Sequence, residues 1–136
     1  MYDARTANPR NANPRNAYVG SMVSTASPAR LLVMLYDRLV LDLQRAAEQQ
    51  DAGEHLAASE NLMHAQDIVL ELQSSLDLTV WTGAAQLSSI YGFVHKQLVM
   101  ANVRRDAAVT RECLTLVQPL ADTWREAALA AAALAS

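Results

Sequence analysis

Cysteine, aromatic residues and helix-breaking residues are all scarce in this sequence. Its only cysteine is Cys113, so no disulfide can form within the chain. Aromatic residues make up 5% of the 136 positions and glycine and proline occur four times each, whereas apolar residues, mainly alanine and leucine, make up 51%. Because this balance favours helices over strands, the composition predicts a single all-α domain.

Long apolar runs are missing as well. A helix that spans a bilayer needs about 20 mostly apolar residues, but the longest uncharged apolar runs are Leu31 to Tyr36 and Ala127 to Ala135. The N-terminus, MYDARTANPRNANPRNAY, has no apolar stretch of the kind that marks a secretory signal. We therefore expect no membrane insertion, and the single cysteine fits a reducing cytoplasm.

Positive charge is too sparse to bind nucleic acid. The formal net charge is −3, and the first 16 residues hold three arginines against one aspartate. The rest of the chain therefore carries all of the excess negative charge. A mildly acidic body offers no electrostatic footprint for DNA or RNA, so we expect no nucleic-acid partner.

The N-terminal segment contains a tandem repeat, ANPRN at 7–11 and again at 12–16. Each proline biases the asparagine before it away from the helical conformation, and the repeat has few side chains to bury. Residues 1–23 are therefore predicted to form a flexible N-terminal arm. Residues 24–136 are predicted to form the folded domain with an alanine-rich C-terminal end.

Four helices are predicted within residues 24–136. Ser27 is placed to cap the first helix, with Pro28 at its first position, and this helix should end near Gln50 before the sequence DAG. The other helices are predicted over 54–75, 84–104 and from 107 into the alanine-rich end, the last interrupted and kinked at Pro119. Four helices of similar length with short connections predict an antiparallel four-helix bundle.

The first three helices have more apolar residues than one buried face requires. At about 100° per residue, each of them has an inner apolar stripe and further apolar residues on roughly the opposite side. We call these second sets the outer ridges; they consist of Met34 and Leu41 on helix 1, Leu56, Met63 and Leu70 on helix 2, and Phe93 and Met100 on helix 3. The inner stripe of helix 3 is expected to include Ile90. Helix 4 is expected to have one apolar side only, which includes Leu116 and Leu120.

Two interpretations of the outer ridges follow from the pattern. They bind an apolar partner, or residues of the N-terminal arm such as Val19, Met22 and Val23 cover them within the same chain. Exposed apolar residues are common on soluble proteins, so the pattern alone does not choose between these interpretations. The methionines favour a partner slightly, since flexible side chains recur at adaptable peptide-binding surfaces.

No constellation typical of an enzyme is present in the sequence. A di-metal site in a bundle requires Glu-x-x-His pairs, and none occurs; Glu60 and His64 are expected to share a surface hydrogen bond. Cys113 lies in the apolar stripe of helix 4, where a thiol is usually a core side chain. There is no phosphate-binding glycine loop and no nucleophile elbow. We therefore expect no catalytic activity, no metal and no cofactor.

The order of these segments resembles the FliS family of flagellar export chaperones. The resemblance rests on several stretches together, spread over residues 16 to 126: NAY at 16–18, TASPARLLVMLYD at 25–37, NLMHAQDIVLELQSSLD at 61–77, LSSIYGFVHKQLVMANVRRD at 87–106, and Trp124.

The resemblance implies a cytoplasmic chaperone that binds the disordered C-terminal segment of flagellin. Binding would prevent premature polymerisation and keep flagellin competent for type III export, with the export apparatus as a further candidate partner. The segment around Tyr18, with Val19, Met22 and Val23, would then act as a lid over the binding surface when flagellin is absent. The outer ridges would supply the partner-binding residues.

A second hypothesis belongs to another class. In it, the protein is a structural or dimerising bundle whose outer ridges pair two copies of the chain.

Overall fold

The computed structural model describes residues 27–135 and contains four α-helices over that range. They are α1 (Pro28–Asp51), α2 (His55–Ser75), α3 (Ala84–Arg104) and α4 (Ala107–Ala135). The predicted all-α bundle is thus confirmed, with each boundary within a residue or two of the expected one. The predicted arm at 1–23, including Tyr18, Val19, Met22 and Val23, lies outside the described residues.

Local signals in the sequence explain where the helices begin and end. The Ser27 hydroxyl accepts a hydrogen bond from the Arg30 N–H at 3.2 Å, with Pro28 at the first helical position. The side chain of Asp106 caps α4 by accepting from the N–H of Ala108 at 3.0 Å. The connection between α1 and α2 turns at Gly53, whose φ of 74° is readily adopted only by glycine.

The predicted interruption of α4 at Pro119 is wrong. The helix continues through Pro119 to Ala135. A proline removes one helical donor, which leaves the carbonyl of Thr115 without its N–H partner. Because Pro119 is exposed, water can reach that carbonyl, and the helix need not end there. The predicted kink stays a prediction.

The helices form a ring in which each one packs against its sequence neighbours and α1 packs against α4. Side-chain bonds show that neighbouring helices are antiparallel. They are Asn61 to Gln49 and His64 to Asp42 between α1 and α2, Asn102 to Ser59 and Gln73 to Ser88 between α2 and α3, and Arg111 to Asp51 and Arg125 to Asp37 between α4 and α1. Helices α1 and α3 therefore run parallel across the bundle.

The core contains the inner stripes of all four helices. Fully buried side chains include Leu32, Tyr36, Leu39, Leu43, Leu62, Val69, Leu72, Val94 and Leu98. Polar groups cross this core in two places. The hydroxyls of Tyr36 and Tyr91 hydrogen-bond each other. Gln50 donates to the carbonyl of Ala101 at 3.1 Å and accepts from the Thr110 hydroxyl at 2.7 Å, so one amide joins α1, α3 and α4.

The predicted faces need correction at α3 and α4. Ile90, expected in the core, is 37% exposed, and Leu116 on α4 is 43% exposed. Both side chains lie at the edge of the contact between α3 and α4, where the facing helix leaves them partly open to solvent. Leu129 and Leu134 on α4 are exposed as well. Helix α4 therefore does not have a single apolar side that is wholly buried.

Two substitutions on α2 should separate its faces. We expect Leu72→Ala to lower the free energy of unfolding by about 2–5 kcal/mol, because it deletes a fully buried side chain. We expect Met63→Glu, at a position that is 57% exposed, to leave stability nearly unchanged. Urea denaturation followed by circular dichroism measures both values. Unfolding of the Met63→Glu variant would show that the outer ridge of α2 belongs to the core.

The thiol of Cys113 should be unreactive in the folded protein. Burial, reinforced by the charge of Glu112, raises the pKa of Cys113 to about 12, so almost no thiolate exists at neutral pH. We expect iodoacetamide to label the native protein at pH 8 far more slowly than protein unfolded in guanidinium, as followed by mass spectrometry. Rapid labelling of native protein would contradict this placement.

The raised pKa of Cys113 also makes the stability of the protein depend on pH. An unfolded cysteine loses its proton near pH ~8.5, whereas the folded thiol keeps it until about pH 12. Cys113 therefore makes its full contribution to the stability of the folded protein below about pH 8.5. That contribution declines as the pH rises from there toward about 12.

Candidate partner-binding surface

The outer ridges predicted from the sequence lie on the surface of the bundle. Leu56, Met63 and Leu70 of α2 are all exposed, as are Met34 of α1 and Phe93 of α3. Leu41 and Met100 are half-buried. These residues do not form one patch, since they lie on three helices whose rotations are fixed by the core.

The first apolar tract follows the contact between α2 and α3, which we call the α2–α3 seam. Two hydrogen bonds join α2 and α3 along this contact. The Asn102 amide donates to the Ser59 hydroxyl at 3.1 Å, and the Gln73 amide donates to the carbonyl of Ser88 at 3.0 Å. Residues three or four positions from these side chains lie on the same side of each helix. The exposed apolar residues so placed are Leu56, Met63 and Leu70 on α2 and Val99 on α3, and Val103 follows at the end of the seam.

The second apolar tract lies on the other side of α3. A cavity of about 300 Å³, which we call the α3–α4 groove, is lined by Ser89, Ile90, Phe93, Leu116 and Leu120. Phe93 was predicted as an outer-ridge residue, but Ile90 and Leu116 were assigned to the core. The groove forms because these two side chains turn outward at the helix contact.

A third feature, the end cavity, lies at the end of the seam near the α3–α4 turn. It measures about 390 Å³ and is lined by Gln50, His55, Leu56, Ala58, Ser59, Asn102, Val103 and Arg105. The Nδ1 atom of His55 is buried and has no hydrogen-bond partner among the described residues. Polar residues thus contribute to the lining of this cavity, whereas the groove is almost wholly apolar.

Arg105 has a backbone conformation that is unusual for arginine. It ends α3 with φ 53° and ψ 47°, the left-handed region in which helices commonly end on glycine. For a residue with a side chain, this conformation costs about 1–2 kcal/mol relative to the right-handed helical one. No other non-glycine residue has a positive φ within the described part of the chain.

Asp42 is a buried charged residue that sequence reasoning did not single out. Its side chain is inaccessible to solvent and accepts a hydrogen bond from Arg38 Nε at 2.9 Å, one turn away on α1. The imidazole of His64 on α2 bonds the other carboxylate oxygen through Nδ1. This corrects the expectation that His64 bonds Glu60. A buried carboxylate is stable only when it is paired, so Asp42 ties α1 to α2.

Other kinds of site receive no support from the geometry. Across residues 27–135, no group of three or more His, Cys, Asp or Glu side chains is arranged to hold a metal ion. None of the four described helices combines the length and the apolar character needed to cross a membrane. The exposed apolar tracts are therefore the features to which a function can be attached.

Comparison with known proteins gives a consistent result. The family described as "Flagellar protein FliS" matches residues 11–131 of this chain. A protein of Bacillus subtilis named flagellar secretion chaperone FliS is 30% identical over 111 residues, which cover 82% of this chain and 83% of that protein.

Proteins of the same name from two other bacteria match similarly. The one from Escherichia coli is 30% identical and covers 82% of this chain and 83% of its own length. The one from Salmonella typhimurium is 33% identical, with shares of 79% and 82%. Because the family match spans nearly the whole chain and the relatives align over most of their length, this protein belongs to the FliS family of flagellar proteins.

Proposed function

We propose that this protein is a cytoplasmic export chaperone that binds the disordered C-terminal segment of flagellin. Its relatives are named flagellar secretion chaperones. The observation that carries the proposal is the pair of exposed apolar tracts, the α2–α3 seam and the α3–α4 groove, on the two sides of α3. Contiguous exposed apolar residues on a small protein are typical of a site for another chain.

The dimensions of the seam fit an amphipathic helical segment. Leu56, Met63 and Leu70 recur every seven residues, so at about 1.5 Å per residue the ridge is about 20 Å long. A bound helix of about four turns matches this length through its own i, i+3, i+4 and i+7 apolar residues. A segment that crosses α3 can continue into the groove lined by Phe93 and Leu116.

This mode of binding explains how a chaperone would protect flagellin. Apolar residues that would otherwise pair with a second flagellin are buried against the seam and the groove. Ordering a disordered segment costs about 2–5 kcal/mol or more, so a large contact area is needed. Two tracts on one small bundle supply such an area without any catalytic step or cofactor, and the export apparatus is a further candidate partner.

Substitutions in each tract should weaken binding without unfolding the protein. We expect Phe93→Glu in the groove and Met63→Glu on the seam each to reduce the affinity for a flagellin C-terminal peptide about tenfold or more, because each places a charge in an apolar contact. Calorimetric titration measures the affinities. Gln44→Glu is the matched control, since it adds the same charge at an exposed position of α1 outside both tracts.

The same experiment tests self-association as the competing function. Light scattering of the wild-type chain, alone and with the peptide, reports its mass. A dimer that Met63→Glu dissociates, together with no binding of the peptide, would support the dimerising bundle and contradict the chaperone.

Deletion of residues 1–23 tests the proposed lid. If Tyr18, Val19, Met22 and Val23 cover an apolar tract, the apparent affinity of full-length protein is reduced by the fraction of molecules whose tract is open. We expect the truncated protein to bind the flagellin peptide more tightly and to self-associate more readily. Unchanged affinity and unchanged light scattering would show that these residues do not gate binding.

A further inference from the structure

The end cavity contains polar groups that binding of an apolar helix does not use. Three of its polar side chains are already committed within the bundle, because Gln50 bonds Ala101 and Thr110, and Asn102 donates to Ser59. His55 Nδ1 is different, since it is buried and has no partner among the described residues. A buried polar atom without a partner is costly, so its presence beside this cavity calls for an explanation.

Arg105 provides a positive charge in the same cavity. Across the described residues its guanidinium takes part in no ion pair. Its left-handed backbone would be better suited to glycine. Strained residues of this kind cluster at functional sites, which makes the charge of Arg105 a candidate for such a role.

The acidic residues of this region lie elsewhere. Glu54 and Glu60 line a neighbouring cavity of about 620 Å³, which shares only His55 and Leu56 with the end cavity. Asp106 directs its carboxylate to the first turn of α4, where it accepts from the N–H groups of Ala108 and Val109. No carboxylate of the described chain lines the end cavity, which leaves its cation available to an external anion.

We propose that the end cavity is a specificity subsite for an acidic side chain of the bound segment. The carboxylate would accept hydrogen bonds from the guanidinium of Arg105, beside the imidazole of His55 that lines the same cavity. Leu56 and Val103, 79% and 76% exposed, flank the cavity and would contact an apolar residue next to the acid. This inference rests on the proposed function, since it takes the occupant to be the segment that lies along the α2–α3 seam.

The subsite would also fix the position of the partner. An apolar ridge with a repeat of seven residues can accept a helix in more than one register, because shifted registers bury similar surface. A charge-assisted bond at one end favours the register that places the acid beside Arg105. The proposed occupant is therefore a segment in which an Asp or Glu adjoins an apolar residue at one end of an amphipathic stretch.

The decisive variant is Arg105→Gly in the full-length chain. Glycine removes the charge but suits the left-handed backbone, so thermal stability should be equal or higher. Calorimetric titration with the flagellin C-terminal segment should show an affinity about tenfold lower than that of wild type, the loss expected for one charge-assisted hydrogen bond. Arg104→Ala is the matched control, because it removes the same charge at the adjacent exposed residue, which does not line the cavity. We expect it to change affinity less than about twofold, because its charge lies outside the cavity and makes no direct bond to the segment.

A second ligand shows whether the lost affinity comes from a carboxylate. In a copy of the segment with every Asp and Glu replaced by its amide, Arg105→Gly should have no effect. An equal loss of affinity from Arg105→Gly and Arg104→Ala would overturn the subsite, because only long-range attraction would then be acting. The subsite is also overturned, with the proposed function intact, if Phe93→Glu weakens binding and Arg105→Gly does not. Absence of any binding to wild type would overturn both proposals.

Discussion

The structure depends on one constraint, the burial of one apolar stripe from each helix in a common core. Once a stripe is buried, the rotation of its helix is fixed, and every residue about half a turn away is held at the surface. Leu62 and Met63 show how closely the rotation is fixed, because they are only about 100° apart around the helix and yet one is fully buried and the other exposed. The outer ridges are therefore not defects of folding but a consequence of where the core stripes lie.

Hydrogen bonds between the helices fix the register of one helix against the next, which hydrophobic burial alone leaves variable. Apolar contacts are non-directional and tolerate sliding of one helix along another, whereas a buried amide or carboxylate must meet its partner. Gln50 holds α1 to α3 and α4 at one end, and Asp42 holds α1 to α2 through His64. Together with the Asn102 to Ser59 bond, these contacts set which outer residues of neighbouring helices stand side by side.

The resulting surface combines flexible apolar side chains with a polar cavity at one fixed position. The methionine and leucine side chains on the seam are exposed and flexible, and the groove beside Phe93 adds depth on the other side of α3. The end cavity differs chemically, since it is lined by a cation, Arg105, and by polar side chains. In the proposed function the two properties complement each other, because apolar contact would supply affinity and a directional bond would supply register.

The sequence by itself determined the helices and most of their buried faces. Ser27, Pro28 and Gly53 act through local backbone geometry, and the inner stripes recur with the helical period, so both are readable without the fold. The positions of Leu56, Met63 and Phe93 on the outside follow from the same period. The resemblance in motifs pointed to the family that the comparisons then showed.

Only the tertiary structure decided how these faces meet. Whether Ile90 and Leu116 turn inward or line a groove depends on how far α3 and α4 cover each other, which the period of either helix does not specify. The pairing of Asp42 with His64, and the meeting of His55 with Arg105 in one cavity, join residues from different helices. Periodicity assigns a residue to a face, but its neighbours across the contact are set by the relative rotation and register of two packed helices.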